Sequence, residues 1–310
     1  MTMRIAVTTQ TFGRNPVLRK ELLKLFPDCV FNEHWSHPTQ AELARLLQDC
    51  DGAVVGLEPV GEKLICRLPR LKIVSKYGVG LDNLDLAALA RHDVTVGWTP
   101  GLNRLSVAEM TLGMMLALLR HVVSTCHKLK CGCWEKAVGS ELTGKTVGII
   151  GLGHVGKEVA RLLQPFHCRI LVNDILDQSA YCRKNKLIGA TKGRIWKEAD
   201  LVTLHTPLTP RTRGLVGRKV LSRMKKTAYL INTARGPIVD PHALKWALTK
   251  GAIAGAALDV YCEEPPTDQD LLNLPHLICT PHRAGSSREA VLAMGRSAIA
   301  HLKRFFLDRA

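Results

Sequence analysis

Short apolar runs of three to six residues alternate along this chain with longer stretches whose apolar positions recur at three- and four-residue spacing. Runs of the first kind read as strands buried on both faces, and the second as helices with one apolar stripe. Strands are expected at 4–8, 30–32, 53–56, 71–75 and 94–96. Between them the pattern predicts helices at 17–26, 39–47, 61–66 and 85–91. Thr39 with Glu42 three residues on forms a capping box, which fixes one helix start. One long apolar helix is expected from Ser106 to about Lys130, bridging two lobes. Strands then recur at 146–150, 170–172, 201–204, 227–232, 254–258 and 277–280, with helices at 157–163, 241–250 and 286–307. This alternation predicts the α/β class: two Rossmann-like or flavodoxin-like lobes, each a parallel sheet covered by helices, with a cleft between them. The expected domains are 1–101 with 284–310, and 102–283.

The strand at 146–150 runs straight into Gly151, Gly153 and Gly156, spaced G-x-G-x-x-G, and then into a helix. Gly151 permits a tight turn, Gly153 lets a pyrophosphate approach the backbone, and Gly156 lets helix and strand pack closely. Phosphates would sit on the positive end of that helix. Asp174 ends the next strand, 18 residues past Gly156. A carboxylate there can accept both ribose hydroxyls of NAD and would repel the 2′-phosphate of NADP. Strand, glycine turn, helix and acid in that order predict a dinucleotide site with NAD as cofactor.

The strands after the glycine turn end in Asp174, Thr206, Arg235, Asp259 and His282. Ligands of an open parallel sheet bind beyond the carboxyl ends of its strands, so Arg235 and His282 should converge. Glu264, before Pro265-Pro266, can reach the same place. An arginine binds a carboxylate with two hydrogen bonds and polarises a neighbouring carbonyl. A histidine passes a proton to that oxygen, and a carboxylate beside it fixes its orientation. Taken singly, Arg235 also reads as a surface arginine, His282 as a structural histidine and Glu264 as an exposed loop acid. Taken together beside an NAD site, they describe reduction of a 2-oxo acid by NADH, or the reverse.

Apolar residues are 46% of the 310 and charged residues 23%, which suits a globular chain with room for two cores. No apolar run reaches the roughly 20 residues that span a bilayer. No signal peptide is visible, so a cytoplasmic location is expected. Lys and Arg outnumber Asp and Glu 43 to 27, for a net charge of +16. The excess reads as a solvated basic surface or as a field drawing anions to a cleft. It is spread out rather than run together, and aromatics are only 5%, so no nucleic-acid partner is expected. Ten cysteines are scattered, apart from Cys126, Cys131 and Cys133, and reduced thiols are expected. His127 beside the last two matches no structural zinc spacing, so no metal is expected.

The chain resembles the D-isomer-specific 2-hydroxyacid dehydrogenase family, most closely its phosphoglycerate dehydrogenase branch. The motifs are SKYGVGLDN (75–83), NRLSVAE (103–109), GKTVGIIGLGHVG (144–156), NTARG (232–236), LDVYCEEPP (258–266) and TPHRAGSS (280–287). The resemblance implies that Arg235, Glu264 and His282 are the catalytic groups. It implies cofactor contacts from His154, Val155, Asp174, Thr206, Pro207, Thr233, Ala234, Asp259 and Gly285. Substrate contacts are implied from Val79 and Gly80, with Lys76 and Tyr77 just before them. A homodimer and a small anionic 2-hydroxy or 2-oxo acid substrate are implied as well. The chain departs from the common pattern at three places: Lys76-Tyr77 where many relatives have Arg-Ala, Trp98 where Asn is common, and Arg283 where a small apolar residue usually follows the histidine. Val79 stands where phosphite dehydrogenases carry Lys, which argues against phosphite oxidation. The family also holds co-repressors that sense NAD, and an NAD-sensing binding protein is the alternative reading.

Overall fold

The computed structural model describes residues 3–36 and 38–308, and the chain divides into two compact units, 1–103 with 286–310, and 104–285. In the first unit five strands form one parallel sheet: β1 (Ile5–Val7), β2 (Cys29–Phe31), β3 (Gly52–Val55), β4 (Ile73–Lys76) and β5 (Thr95–Gly97), in the order β2-β1-β3-β4-β5. Helices cover both faces. One carries the Leu43, Ala44 and Leu47 stripe, started by the Thr39–Glu42 capping box. On the other face lies the helix Arg288–Phe306, which packs Met294, Ala298 and Leu302 against Ile5 and Val54.

The second unit holds a seven-stranded parallel sheet. Its strands are β6 (Thr146–Ile150), β7 (Arg169–Asn173), β8 (Ile188–Gly189), β9 (Leu201–Leu204), β10 (Tyr229–Asn232), β11 (Gly255–Leu258) and β12 (Leu277–Cys279). They lie in the order β12-β11-β10-β9-β6-β7-β8. The chain therefore winds outward from β6 to β7 and β8, then returns to β9 and winds the other way. The reversal between β6 and β9 opens the crevice where such sheets bind ligands. Both faces are apolar, which is why these strands read as continuous Val, Ile and Leu runs. The short edge strand β8 and several one-turn helices carried too little periodicity to be read from sequence.

The long helix expected from Ser106 to Lys130 is instead two helices, Arg104–Leu119 and Val122–Lys130, bent by 63° and both inside the second unit. His121 between them is left-handed (φ 53°), which breaks the hydrogen-bond ladder. The returning chain takes the helix end, since the Ser140 amide donates to the Leu119 carbonyl at 2.9 Å. The first helix buries Val107, Ala108, Thr111, Met114, Met115, Leu118 and Leu119, whereas the second buries no residue and nothing holds it collinear. Among the described residues no single helix is long and apolar enough to cross a membrane.

Candidate active site

The glycine turn has the geometry that its spacing implies. Gly151 is left-handed (φ 96°), and a Cβ there would stand 2.5 Å from the His205 carbonyl oxygen on the neighbouring strand. A Cβ on Gly156 would fall 2.1 Å from the Gly151 carbonyl oxygen, so helix and turn touch through backbone alone. A Cβ on Gly153 meets nothing within 4 Å, which leaves open space above the turn. The helix His154–Leu163 starts there, with His154 and Val155 in its first turn, and no side chain caps it. Its first amides are free for an anion.

Asp174 stands just beyond β7 and beside the turn: the Leu152 amide donates to its Oδ2 at 2.6 Å and the Leu176 amide to its Oδ1 at 2.9 Å. A pocket of about 370 Å³ opens next to it, lined by Val172, Asp174, Leu176, Cys182, Arg183 and Ala190. Across the sheet, the Thr206 hydroxyl beyond β9 is buried without a hydrogen-bond partner, with Pro207 exposed after it. A buried polar atom left unsatisfied carries a desolvation penalty that a bound ligand can relieve. Open space at Gly153, free amides, the Asp174 pocket and the Thr206 hydroxyl together fit a dinucleotide. Thr233 and Ala234 follow β10, where the Thr233 and Thr111 hydroxyls lie 3.1 Å apart.

Arg235 sits in a turn built by Asn232. The buried Asn232 amide group donates to the Arg235 carbonyl at 2.9 Å, while its Oδ1 accepts from the Ala234 amide at 3.1 Å. The next residue, Gly236, presses on the chain at 261–262: a Cβ would stand 1.9 Å from the Tyr261 carbonyl carbon. Only glycine allows this approach, and it brings the Arg235 turn against the loop that carries Glu264. In that loop the Tyr261 amide donates to Glu264 Oε1 at 3.0 Å, and Glu264 Oε2 lies 2.7 Å from His282 Nδ1. Burial pushes the Glu264 carboxyl up, yet the His282 hydrogen bond, the Tyr261 amide and the His282 and Arg235 charges outweigh it and hold the group below its ordinary value. With Nδ1 engaged, Nε2 of His282 is the ring nitrogen left for a ligand.

Asp259 does something the sequence did not reveal. Its carboxylate, almost wholly buried, accepts from the Arg283 amide at 2.7 Å, the Ala284 amide at 2.8 Å and the Thr280 hydroxyl at 2.5 Å. His282 is left-handed (φ 50°), and its own amide donates to the Asp259 carbonyl at 2.8 Å. Asp259 thus wraps the turn 280–284 around one carboxylate and sets where the His282 ring stands. Gly285 follows that turn. These partners lie 21 to 25 residues away, beyond any local pattern.

In the first unit the loop at 78–80 follows β4. Its Val79 carbonyl accepts from the Trp98 indole at 3.0 Å, and Val79 and Gly80 are partly exposed. Lys76 and Tyr77, just before the loop, are buried. The Lys76 ammonium donates to the Gly56 carbonyl and to Asn83 Oδ1, the latter at 2.6 Å. The Tyr77 ring packs edge-on against Phe12, centroids 5.5 Å apart, in the core. Both brace the loop from behind. Elsewhere, all ten cysteines are free. His127 and Cys131 lie 3.8 Å apart, and among the described residues no group of three side chains could hold a metal ion.

Residues 112–284 match the family described as D-isomer specific 2-hydroxyacid dehydrogenase, NAD binding domain. Over 292 residues the chain is 37% identical to a D-3-phosphoglycerate dehydrogenase of Methanocaldococcus jannaschii, covering 93% of this chain and 56% of that protein. It is 36% identical to a glyoxylate reductase of Thermofilum pendens, covering 91% of this chain and 86% of the relative. The chain thus spans about half the length of the curated phosphoglycerate dehydrogenases it matches. Among solved structures, a D-lactate dehydrogenase of Aquifex aeolicus complexed with NAD and lactic acid superposes with a TM-score of 0.86 at 26% identity, covering 97% and 95% of the two chains.

Proposed function

The chain belongs to the D-isomer-specific 2-hydroxyacid dehydrogenase family and carries its NAD-binding domain, and from that premise we propose that it interconverts a small anionic D-2-hydroxy acid and its 2-oxo acid. The observation that carries the reading is the His282–Glu264 pair at 2.7 Å, held beside Arg235 at the ends of β10, β11 and β12. Bound NAD supplies the hydride acceptor, and NADH the donor. Gly153, His154 and Val155 would hold the phosphates, Asp174 the ribose hydroxyls, and Thr206 a polar edge of the ligand. Arg235 binds the substrate carboxylate and polarises the adjacent carbonyl. His282, through Nε2, gives its proton to the oxygen that becomes the hydroxyl and recovers it in the reverse direction. Glu264 fixes the ring and stabilises the charged imidazolium.

A homodimer is part of the same proposal. Val122, Val123, Leu129, Trp134 and Val138 are exposed together on the arm at 122–138, an apolar stretch suited to a second copy. A cytoplasmic location fits ten unpaired cysteines. The test is NADH oxidation with a panel of 2-oxo acids, NADPH run in parallel, and the chirality of the product determined. Formation of a D-2-hydroxy acid supports the reading. NADH binding with no turnover on any member would favour an NAD-sensing binding protein instead.

A further inference from the structure

Tyr261 touches all three turns that carry the reacting groups. It lies just past β11, on the loop that bears Glu264. Its carbonyl carbon is what excludes any side chain at Gly236, the residue after Arg235. Its amide donates to Glu264 Oε1 at 3.0 Å. Its hydroxyl crosses to the end of β12 and donates to the Thr280 carbonyl at 3.1 Å, with the Leu258 carbonyl at 3.3 Å. The Thr280 carbonyl also accepts from the His282 amide, again at 3.1 Å.

Neither carbonyl needs that hydroxyl for its own satisfaction. The Leu258 carbonyl already accepts from the Thr280 amide at 3.0 Å, and the Thr280 carbonyl already accepts from His282. A phenylalanine ring would pack against the same core residues. What the hydroxyl adds is a link from the Glu264 loop to the turn before His282. Burial pushes its pKa up, so it stays a donor through the working pH range. The 2.7 Å contact between Glu264 Oε2 and His282 Nδ1 therefore lies inside a closed circuit: carboxylate, Tyr261 amide, Tyr261 hydroxyl, Thr280 carbonyl, His282 amide, imidazole. Opening the circuit at any member frees the ring to move. Asp259 holds the turn 280–284 alone, whereas Tyr261 holds that turn relative to Glu264.

We propose that Tyr261 is a positioning residue for proton transfer: its amide and its hydroxyl together hold the Glu264 carboxylate and the His282 turn at the separation that aims the imidazole. The inference rests on the dehydrogenase reading and adds a residue that acts through the His282–Glu264 pair.

The test is Tyr261→Phe, which removes one oxygen and keeps the ring and the amide. With NADH and the 2-oxo acid that wild type reduces fastest, kcat should fall about three- to tenfold, the scale of one neutral hydrogen bond, while KM and NADH affinity are kept. A cycle with Glu264→Gln gives the second readout. Once the carboxylate is gone there is no charged pair to align, so adding Tyr261→Phe should lower kcat by less than about twofold more. The third readout needs no turnover: the downfield proton resonance of His282 Nδ1–H, identified by its loss in Glu264→Gln, should shift in Tyr261→Phe. Wild-type kcat or an unmoved resonance would overturn the proposal and leave the dehydrogenase reading standing. The same fold-loss in both backgrounds would also overturn it, because the hydroxyl would then act on the fold at large. If wild type turned over no 2-oxo acid, the dehydrogenase reading would fall and the proposal with it.

Discussion

Replacing Asp259 by Asn tests whether the buried carboxylate positions His282. The side chain keeps its size, but one oxygen that now accepts an amide becomes an NH2 facing that amide. One of the two amide contacts, Arg283 at 2.7 Å or Ala284 at 2.8 Å, must be lost. A hydrogen bond to a charged group contributes about 1.5–3 kcal/mol, and the Ala284 amide is buried, so little water replaces it. For a unit of residues 104–285, a loss of ~2 kcal/mol lowers Tm by about 4–8 °C. The turn 280–284 should loosen with it and misplace the His282 ring, lowering kcat about ten- to a hundred-fold, since small misplacements of a reacting group cost that much. NADH affinity, which rests on the glycine turn and Asp174, should change little. Thermal melts, steady-state kinetics and NADH fluorescence titration read the three quantities. An Asn variant with wild-type Tm and kcat would refute the positioning role.

Asp174→Ala removes the acid beside the 370 Å³ pocket, and NADH binding should weaken about ten- to a hundred-fold while the preference over NADPH narrows; an unchanged ratio in parallel titrations would remove Asp174 from cofactor selection. The depressed pKa of Glu264 has a pH signature. Because the folded value lies below the ordinary 4.5, its stabilising effect is full above that pH and is lost as pH falls through the lower folded value. Melts of wild type and Glu264→Gln should therefore differ at neutral pH and converge in acid, whereas a gap that persists in strong acid would contradict the assignment.

The glycine turn was legible because its logic is local: a strand, three glycines at fixed spacing and an acid at the next strand end. The structure adds the reason for two of those glycines, since a side chain at Gly151 or Gly156 would strike backbone. The polar strand ends were equally readable, because the carboxyl ends of parallel strands share one edge. Other features depended on contacts distant in sequence. Nothing near His121 signals a break, as the residue is neither glycine nor proline and the apolar pattern runs on. The bend follows from Ser140 returning to Leu119 and from the loss of burial beyond it. Lys76 and Tyr77 stand at the start of a loop motif that reads as a ligand contact, yet Gly56, Asn83 and Phe12 draw them inward. The clamp at Asp259 is hidden in the same way, because the amides it satisfies lie beyond the next strand.

The central claim is that Arg235 serves the substrate rather than the cofactor. Its most direct test is Arg235→Ala, assayed side by side for NADH binding by fluorescence and for 2-oxo acid reduction by steady-state kinetics. The expected result is near wild-type NADH affinity with kcat/KM reduced by at least about a hundred-fold, because both carboxylate binding and carbonyl polarisation are lost. Wild-type kcat/KM in that variant would contradict the account.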